Sequence, residues 1–452
     1  MLKASDLYDS AIAWFNTEPD RAQRLAVEAV ATAEYKSEEY AKASKIAGMS
    51  FLNTAATVVD PKEAIKYLHN AWTTDSDPSS LAHLSTAYGM DYNTEEAIKA
   101  AERCAWLFPD HEDAHIKLHN AYLYAGRYAS ARSVEREYVE KFNTDYAHMA
   151  LGLNLLLLSD IGGKRDRKTY MEGIFHGQGR YPQLARVEGA SMSPLPWSPP
   201  VEMEMLDREL VVVLEQGLGD CIMMIPYIQH MGRMVKHLYV ISSDHDAAVD
   251  LYRSLGCFAG NVTTYKTTDE RTLGGIQYVH MMDLLAIGMP HEIVGSVRIP
   301  SMGMDDAGGK VGICWRGNPK HPNDWWRSMR FSDIKPFIEK HGKKLVSLQS
   351  NLKPEERTFL ESAGVEIASE IVDHNALIAT LNGLDAVVTV DTFMSHMAGY
   401  LGVKCYTLLA TNVDWRWGCG SDKSDWYPNH TLLRQKKCGD WSPLLNELNW
   451  II

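Results

Sequence analysis

Four stretches of the chain place side chains able to handle anions, protons or flat rings directly after apolar runs. In LDAVVTVDTFMSHMAGYLG, a strand ending at Val390 meets Asp391 and Thr392 before a helix that opens near Met394. The first backbone N–H groups of such a helix lack internal partners and carry the positive end of its dipole, which suits a diphosphate. Asp391 and Thr392 are equally the residue types of a plain helix cap. In VVVLEQGLGDCIMMIPYIQHM, Gly217 and Gly219 permit a tight strand-to-helix turn and close backbone approach. The pattern is not GxGxxG and does not by itself mark a dinucleotide site. Asp220 stands at the helix start, where a carboxylate can take a proton from an attacking hydroxyl or simply cap the helix.

The third stretch, ICWRGNPKHPNDWWRSMRF, sets Arg316, Lys320, Arg327 and Arg330 among Asn318, Asn323, Asp324, Trp325 and Trp326. Such a cationic loop suits neutralisation of phosphate charge. The fourth, TNVDWRWGCGSDKSDWYP, follows a strand with Asp414, Trp415, Trp417, Trp426 and Tyr427, a platform for a flat ligand or sugar ring, or core packing under a long loop. Other chemistries find less support. Asp244-His245-Asp246 reads as a capped helix start rather than a metal triplet. The histidines form no HExxH, and neither GxxxxGK[ST] nor GxSxG occurs.

Residues so placed require buried strands behind them. From Leu206 onward the chain supplies ELVVVLEQ, HLYVISS, GGKVGICW, KKLVSLQ, LDAVVTV and KCYTLLA, alternating with helical segments, one of which spans 221–235. Continuous apolar strands between helices imply parallel sheet covered on both faces. A break near residues 300–309 divides two such units, 206–305 and 306–452, with ligands expected in the gap outside the carboxyl ends of the strands. Upstream, residues 151–205 are rich in glycine and then proline, the composition of a junction. Residues 1–150 read as helices. Leu84, Ala87 and Tyr88 recur as Leu118, Ala121 and Tyr122, and Ala97 recurs as Ala131, both at an offset of 34; Ala64 lies 33 before Ala97. Paired helices at that period resemble tetratricopeptide repeats; an irregular bundle is the alternative.

The 452 residues correspond to about three units at ~150 residues each. Apolar residues make up 45% and charged residues 23%, which excludes wholesale disorder and a collagen-like rod. The net charge of −13 disfavours a polyanion partner unless a local basic patch receives it. Seven dispersed cysteines without CxxC read as reduced thiols of a cytoplasmic protein. Residues 1–20 show no charged-then-apolar leader pattern, and the longest apolar run, 151–158, is far short of the ~20 residues of a membrane span.

Taken in order, LPWSPP, EQGLGD, WRGNPKHPNDWWRS, VSLQ, VDTFMSHMAGYLG, DWRWG and WYP, from about residue 195 to 430, resemble a known family. Its members are bacterial and phage proteins in which tetratricopeptide repeats are fused to a heptosyltransferase-like glycosyltransferase. Lipopolysaccharide heptosyltransferases and O-GlcNAc transferases are its distant relatives. The resemblance implies an α/β chain: repeats, then a GT-B fold of two Rossmann-like lobes, the first on the acceptor side and the second on the nucleotide-sugar side. It implies an inverting, metal-independent hexosyl-, heptosyl- or pentosyltransferase with no cofactor beyond the nucleotide sugar as co-substrate. Asp220 would be the general base. Thr392, Phe393 and Met394 would offer backbone amides to the diphosphate, with Asp391 fixing the loop and His396 in the same helix start. Arg327 or Lys320 would neutralise phosphate, with Asn323 beside them, and Gln349 would lie near the nucleoside. Gly217, Gly219, Asp414 and Trp415 would belong to the acceptor side or its loops. The helix after GLGD departs from the family, reading CIMMIPYIQHM where Phe and Arg-Tyr are common, so the acceptor preference is open. The acceptor so implied would be a protein, a glycan or modified DNA, presented by the repeats or bound beside a partner protein, and a homodimer through the helical half is left open. Two alternatives stand beside this reading: a non-catalytic repeat scaffold with a degenerate transferase domain, and a phage-type transferase acting on DNA bases.

Overall fold

The computed structural model describes residues 3–56, 58–161, 164–178, 191–192, 207–242, 246–258, 260–269, 273, 275–294, 309–319, 321, 323–368 and 373–449. Lys320, the prolines of 194–200 and residues 300–308 lie outside that set. The chain opens with α1 (Ala4–Trp14), α2 (Pro19–Thr32), α3 (Glu38–Leu52), α4 (Pro61–Asp75), α5 (Pro78–Met90), α6 (Thr94–Leu107), α7 (Glu112–Tyr124), α8 (Tyr128–Phe142) and α9 (Asp145–Leu158). Their starts are written locally: Asp60 and Asp77 cap α4 and α5, and proline, which has no N–H to lose, fills the first helical position of each. The alanines at the repeat period, Ala64, Ala97 and Ala131, are fully buried, so neighbouring helices meet at small side chains. Gly48 goes further, since an added Cβ would lie 2.5 Å from Leu68 Cγ.

The helices do not end where the composition changes. After α9 a short antiparallel pair, β1 (Asp160–Ile161) and β2 (Lys164–Arg165), leads to α10 (Arg167–Gly177). The last helix packs on α9 at backbone distance, an added Cβ on Gly152 falling 2.5 Å from the Gly177 nitrogen.

The first lobe comprises β3 (Ser191–Met192), β4 (Glu209–Val213), α11 (Leu218–Met223), α12 (Ile225–Met234), β5 (His237–Ile241), α13 (Asp246–Leu255), β6 (Val262–Tyr265), β7 (Gln277–His280) and α14 (Pro290–Val294). Its strands are all parallel in the order β3-β7-β4-β5-β6. The helix expected over 221–235 is in fact two, α11 and α12, because Pro226 cannot continue a hydrogen-bonded helix and instead starts a new one.

The second lobe comprises β8 (Val311–Cys314), α15 (Asp324–Arg327), α16 (Phe331–His341), β9 (Leu345–Ser347), α17 (Pro354–Ser362), β10 (Glu366–Ile367), α18 (His374–Asn382), β11 (Ala386–Val390), α19 (Phe393–Leu401), β12 (Cys405–Leu409), β13 (His430–Arg434) and α20 (Ser442–Leu448). Its parallel order is β10-β9-β8-β11-β12-β13, with β8 and β11 central. All six strands expected from the sequence are present. The fold is thus α/β, a helical repeat array followed by two Rossmann-like lobes.

One apolar cluster joins the parts. It includes Tyr170 of α10, Tyr227 of the first lobe and Trp426 of the second, and the last two rings lie 5.7 Å apart. The repeats and the β1–β2 segment after them also grip the second lobe's loops directly. Tyr124 lies 4.6 Å from Trp326, the Tyr92 hydroxyl donates to the Trp325 carbonyl at 3.3 Å, and Arg165 pairs with Asp425 at 2.7 Å. No described helix is long and apolar enough to cross a membrane, and all seven cysteines are free thiols.

Candidate functional site

The site forms where one strand of each lobe gives way to a helix. In the second lobe, β11 is apolar and wholly buried, and it delivers Asp391 and Thr392 to the start of α19. Thr392 is the N-cap: its hydroxyl accepts the Met394 N–H at 3.3 Å, and Thr389 Oγ1 lies 3.0 Å away. Its carbonyl accepts the Ser395 N–H at 3.0 Å. The Met394 amide, expected to face a ligand, is therefore taken by its own cap. The Phe393 N–H meets no acceptor among the described residues, as the first amide of a helix should not. Asp391 and Thr392 are both buried.

In the first lobe, β4 runs into Gln216, whose φ of +67° is in the left-handed region, and then into Gly217, the N-cap of α11. The Gly217 N–H donates to Asp220 Oδ2 at 3.1 Å. Gly219 explains why the turn is glycine-rich: an added Cβ would lie 2.6 Å from His396 Cδ2, on the first turn of α19. The two helix starts, one from each lobe, therefore touch.

Between them lies Arg416, which the sequence reading did not single out. Its Nη2 donates to Asp220 Oδ1, and its Nη1 pairs with Asp414 Oδ2 at 2.8 Å. Burial opposes the charge on Arg416, yet Asp220, Asp414 and Asp391 outweigh it and raise its pKa. Asp414 is pushed up to about 6, first by burial and then by the neighbouring Asp391 and Asp220 charges, which together overcome the opposing pull of Arg416. The carboxylate expected to act as base is thus already held by a guanidinium from the opposite lobe.

The remaining expected residues divide. Arg327, at the end of α15, pairs with Asp324 at 3.5 Å beside Gly317, where an added Cβ would fall 2.9 Å from Arg327 Nη2. Its charge helps depress the pKa of His396, which places it in the field of the α19 start. Asn323 is exposed just before α15 and donates its N–H to His321 Nδ1 at 3.1 Å. His321, also missed, lies in the field of Asp391 and Arg416; desolvation and then the Arg327 charge lower its pKa.

The other residues singled out are engaged within the protein. Gln349, expected near a nucleoside, is held by main-chain groups. Its oxygen accepts the Trp315 and Arg316 N–H groups at 3.1 and 3.0 Å, and its nitrogen donates to the Arg316 and Ser350 carbonyls, so it staples the turn after β8. His396 is buried between the lobes, its Nδ1 2.9 Å from the Tyr427 hydroxyl and its ring stacked on Trp417. Burial, followed by the Arg416 charge, holds its pKa well below the usual value. Trp415, Trp417, Trp426 and Tyr427 form no platform: all four are buried, because the long loop needs its own apolar core. Within the cationic loop, Arg316 is committed to Glu356 and the Asn351 carbonyl, and Arg330 lies over the Tyr92 ring. Asp246 opens α13 and accepts the Thr267 N–H at 2.7 Å; residues 243–245 lie outside the described set. No group of three or more metal-ligating side chains occurs among the described residues.

No family model matches the chain, and no curated protein matches it. Among solved structures, a mutant O-GlcNAc transferase of Thermobaculum terrenum aligns at 15% identity over 91% of this chain and 83% of that one, with a TM-score of 0.36. A MamA protein aligns at 19% identity over 41% of this chain and 97% of that one, TM-score 0.32. A Podosopora anserina putative kinesin light chain with nearly identical TPR-like repeats aligns at 14% identity over 41% of this chain and all of that one, TM-score 0.34.

Proposed function

We propose that the chain is a glycosyltransferase that moves a sugar from a nucleotide-sugar donor to an acceptor hydroxyl with inversion. The observation that supports this best is the meeting of the two junctions: the start of α19, with an open Phe393 amide, stands against the α11 turn that carries Asp220. In this reading the second lobe holds the donor. The Phe393 N–H, the helix dipole and Arg327, with Lys320 as a further cation, take up charge as the nucleoside diphosphate leaves. Asp220 removes the acceptor proton while the hydroxyl attacks the anomeric carbon from the opposite face. The reaction needs no metal ion in this reading, since amides and guanidinium groups carry the leaving-group charge. The first lobe receives the acceptor, and the repeats present it or recruit the protein that bears it. The resemblance of EQGLGD, VDTFMSHMAGYLG and DWRWG to the heptosyltransferase-like GT-B family agrees with these assignments.

The test is Asp220→Asn, assayed against a panel of nucleotide sugars with calorimetry alongside. Transfer should fall by ~10²–10⁴-fold while the nucleoside diphosphate still binds. Near-normal turnover would remove Asp220 from the role. If no nucleoside diphosphate binds even the unaltered protein, the scaffold reading takes over.

A further inference from the structure

Arg416 is the described residue whose ion pair joins the α11 turn to the second lobe, and its surroundings are unbalanced. One guanidinium faces three carboxylates: Asp220 and Asp414 in direct contact, and Asp391 within electrostatic range. Of its five N–H groups, Nη2 serves Asp220 and Nη1 serves Asp414, while the buried Nε meets no acceptor among the described residues. The guanidinium also lies over the Trp415 ring, which keeps its plane beside the two helix starts. A diphosphate arriving at α19 would meet the charges of Asp220, Asp414 and Asp391, so a second guanidinium beside Arg327 that can turn from carboxylate to phosphate favours its entry. Arginine matches phosphate oxygens with two parallel donors, at least as well as it matches a carboxylate. Because a buried ion pair is close to break-even against its desolvation, replacing one anion partner by another is a small step in free energy.

Asp220 completes the picture. Oδ2 is used by the Gly217 N–H and Oδ1 by Arg416, so each oxygen of the base already holds a donor. We propose that Arg416 is a donor-operated latch: when the diphosphate binds, the guanidinium leaves Asp220 for the phosphate oxygens, and Oδ1 is freed to take the acceptor proton. The latch rests on the transferase reading and adds an order of events to it. Without donor the base stays covered; with donor it is exposed at the moment it is needed.

The test is a double-mutant cycle read by calorimetry with inorganic pyrophosphate, which carries the diphosphate and no base or sugar. Arg416→Gln should weaken pyrophosphate binding by ~10-fold or more. Asp220→Asn, which removes the competitor for Arg416, should tighten it several-fold. In the doubly substituted protein that tightening should vanish. If it persists at full size there, Asp220 acts through its charge alone and the latch is wrong; an Arg416→Gln affinity within twofold of the starting protein would also overturn it. Arg416→Lys, which keeps the charge and loses the fork, carries the same cycle should Arg416→Gln fail to fold. If pyrophosphate does not bind the unaltered protein, the donor site itself is wrong, an outcome distinct from additive effects on a site that does bind.

Discussion

The two strand-to-helix junctions are built on one plan and finished differently. The β11–α19 junction is rigid: a fully buried strand, a threonine cap and a nine-residue helix whose first turn is packed against Trp417 and Tyr427. The β4–α11 junction is spare, with a left-handed Gln216, a glycine cap and a six-residue helix that yields at Pro226 to a second one. The first leaves a main-chain amide open; the second holds out a carboxylate. A rigid amide can stabilise charge without reorganising, whereas a proton acceptor must change partners during the reaction.

The largest expected contrast is in acid. Beneath α19, His430 is buried, with its pKa pushed down to about 3 by burial, and His396 is depressed as well. Unfolded histidines bind protons below about pH 6.5 and these folded ones do not, so their stabilising contribution is full above that pH and is lost as pH falls towards about 3. Asp414, raised to about 6, works in the opposite sense, its contribution fading as pH rises through that value. Melting temperatures should hold from pH 7.5 to about 6.5 and fall from there to pH 4.5, and His430→Gln should flatten that fall. An unchanged slope in that variant would mean the β11–α19 junction owes nothing to its neutral histidine.

Next in size is Gly219→Ala. Its Cβ would lie 2.6 Å from His396 Cδ2, so the junctions must separate or the ring must shift, at a cost of about 1–3 kcal/mol. Denaturant unfolding measures this directly, and a loss below about 0.5 kcal/mol would show that the two helix starts are not held together. Smallest is Thr392→Ala, which removes the hydroxyl that accepts the Met394 N–H and should cost about 1 kcal/mol by the same measurement. Because the Met394 amide is freed while the Phe393 amide is untouched, pyrophosphate affinity should change little.

Much of this was legible in the chain. β4, β5, β8, β9, β11 and β12 are continuous apolar runs, as centrally placed parallel strands must be. β6 (VTTY), β7 (QYVH) and β13 (HTLLR) carry polar residues among few apolar ones, so no run announced them. Asp391 and Thr392 were readable because they follow a strand end, and Asp220 because it stands at a helix start after a glycine-rich turn. Arg416 was not, since its partner Asp220 lies 196 positions away and only the packing of the lobes joins them. The Trp-rich segment left two readings open for a related reason: composition cannot tell a ring that floors a long loop from one that faces a ligand, and all three tryptophans floor the loop.

The central claim is that the start of α19 cradles the donor's diphosphate in the gap between the lobes. Crystals grown with a nucleoside diphosphate chosen by calorimetry test it most directly. The account predicts phosphate oxygens within hydrogen-bond distance of the Phe393 N–H, with Asp220 across the gap. A nucleotide bound elsewhere, with the α19 start still closed against the α11 turn, would contradict it.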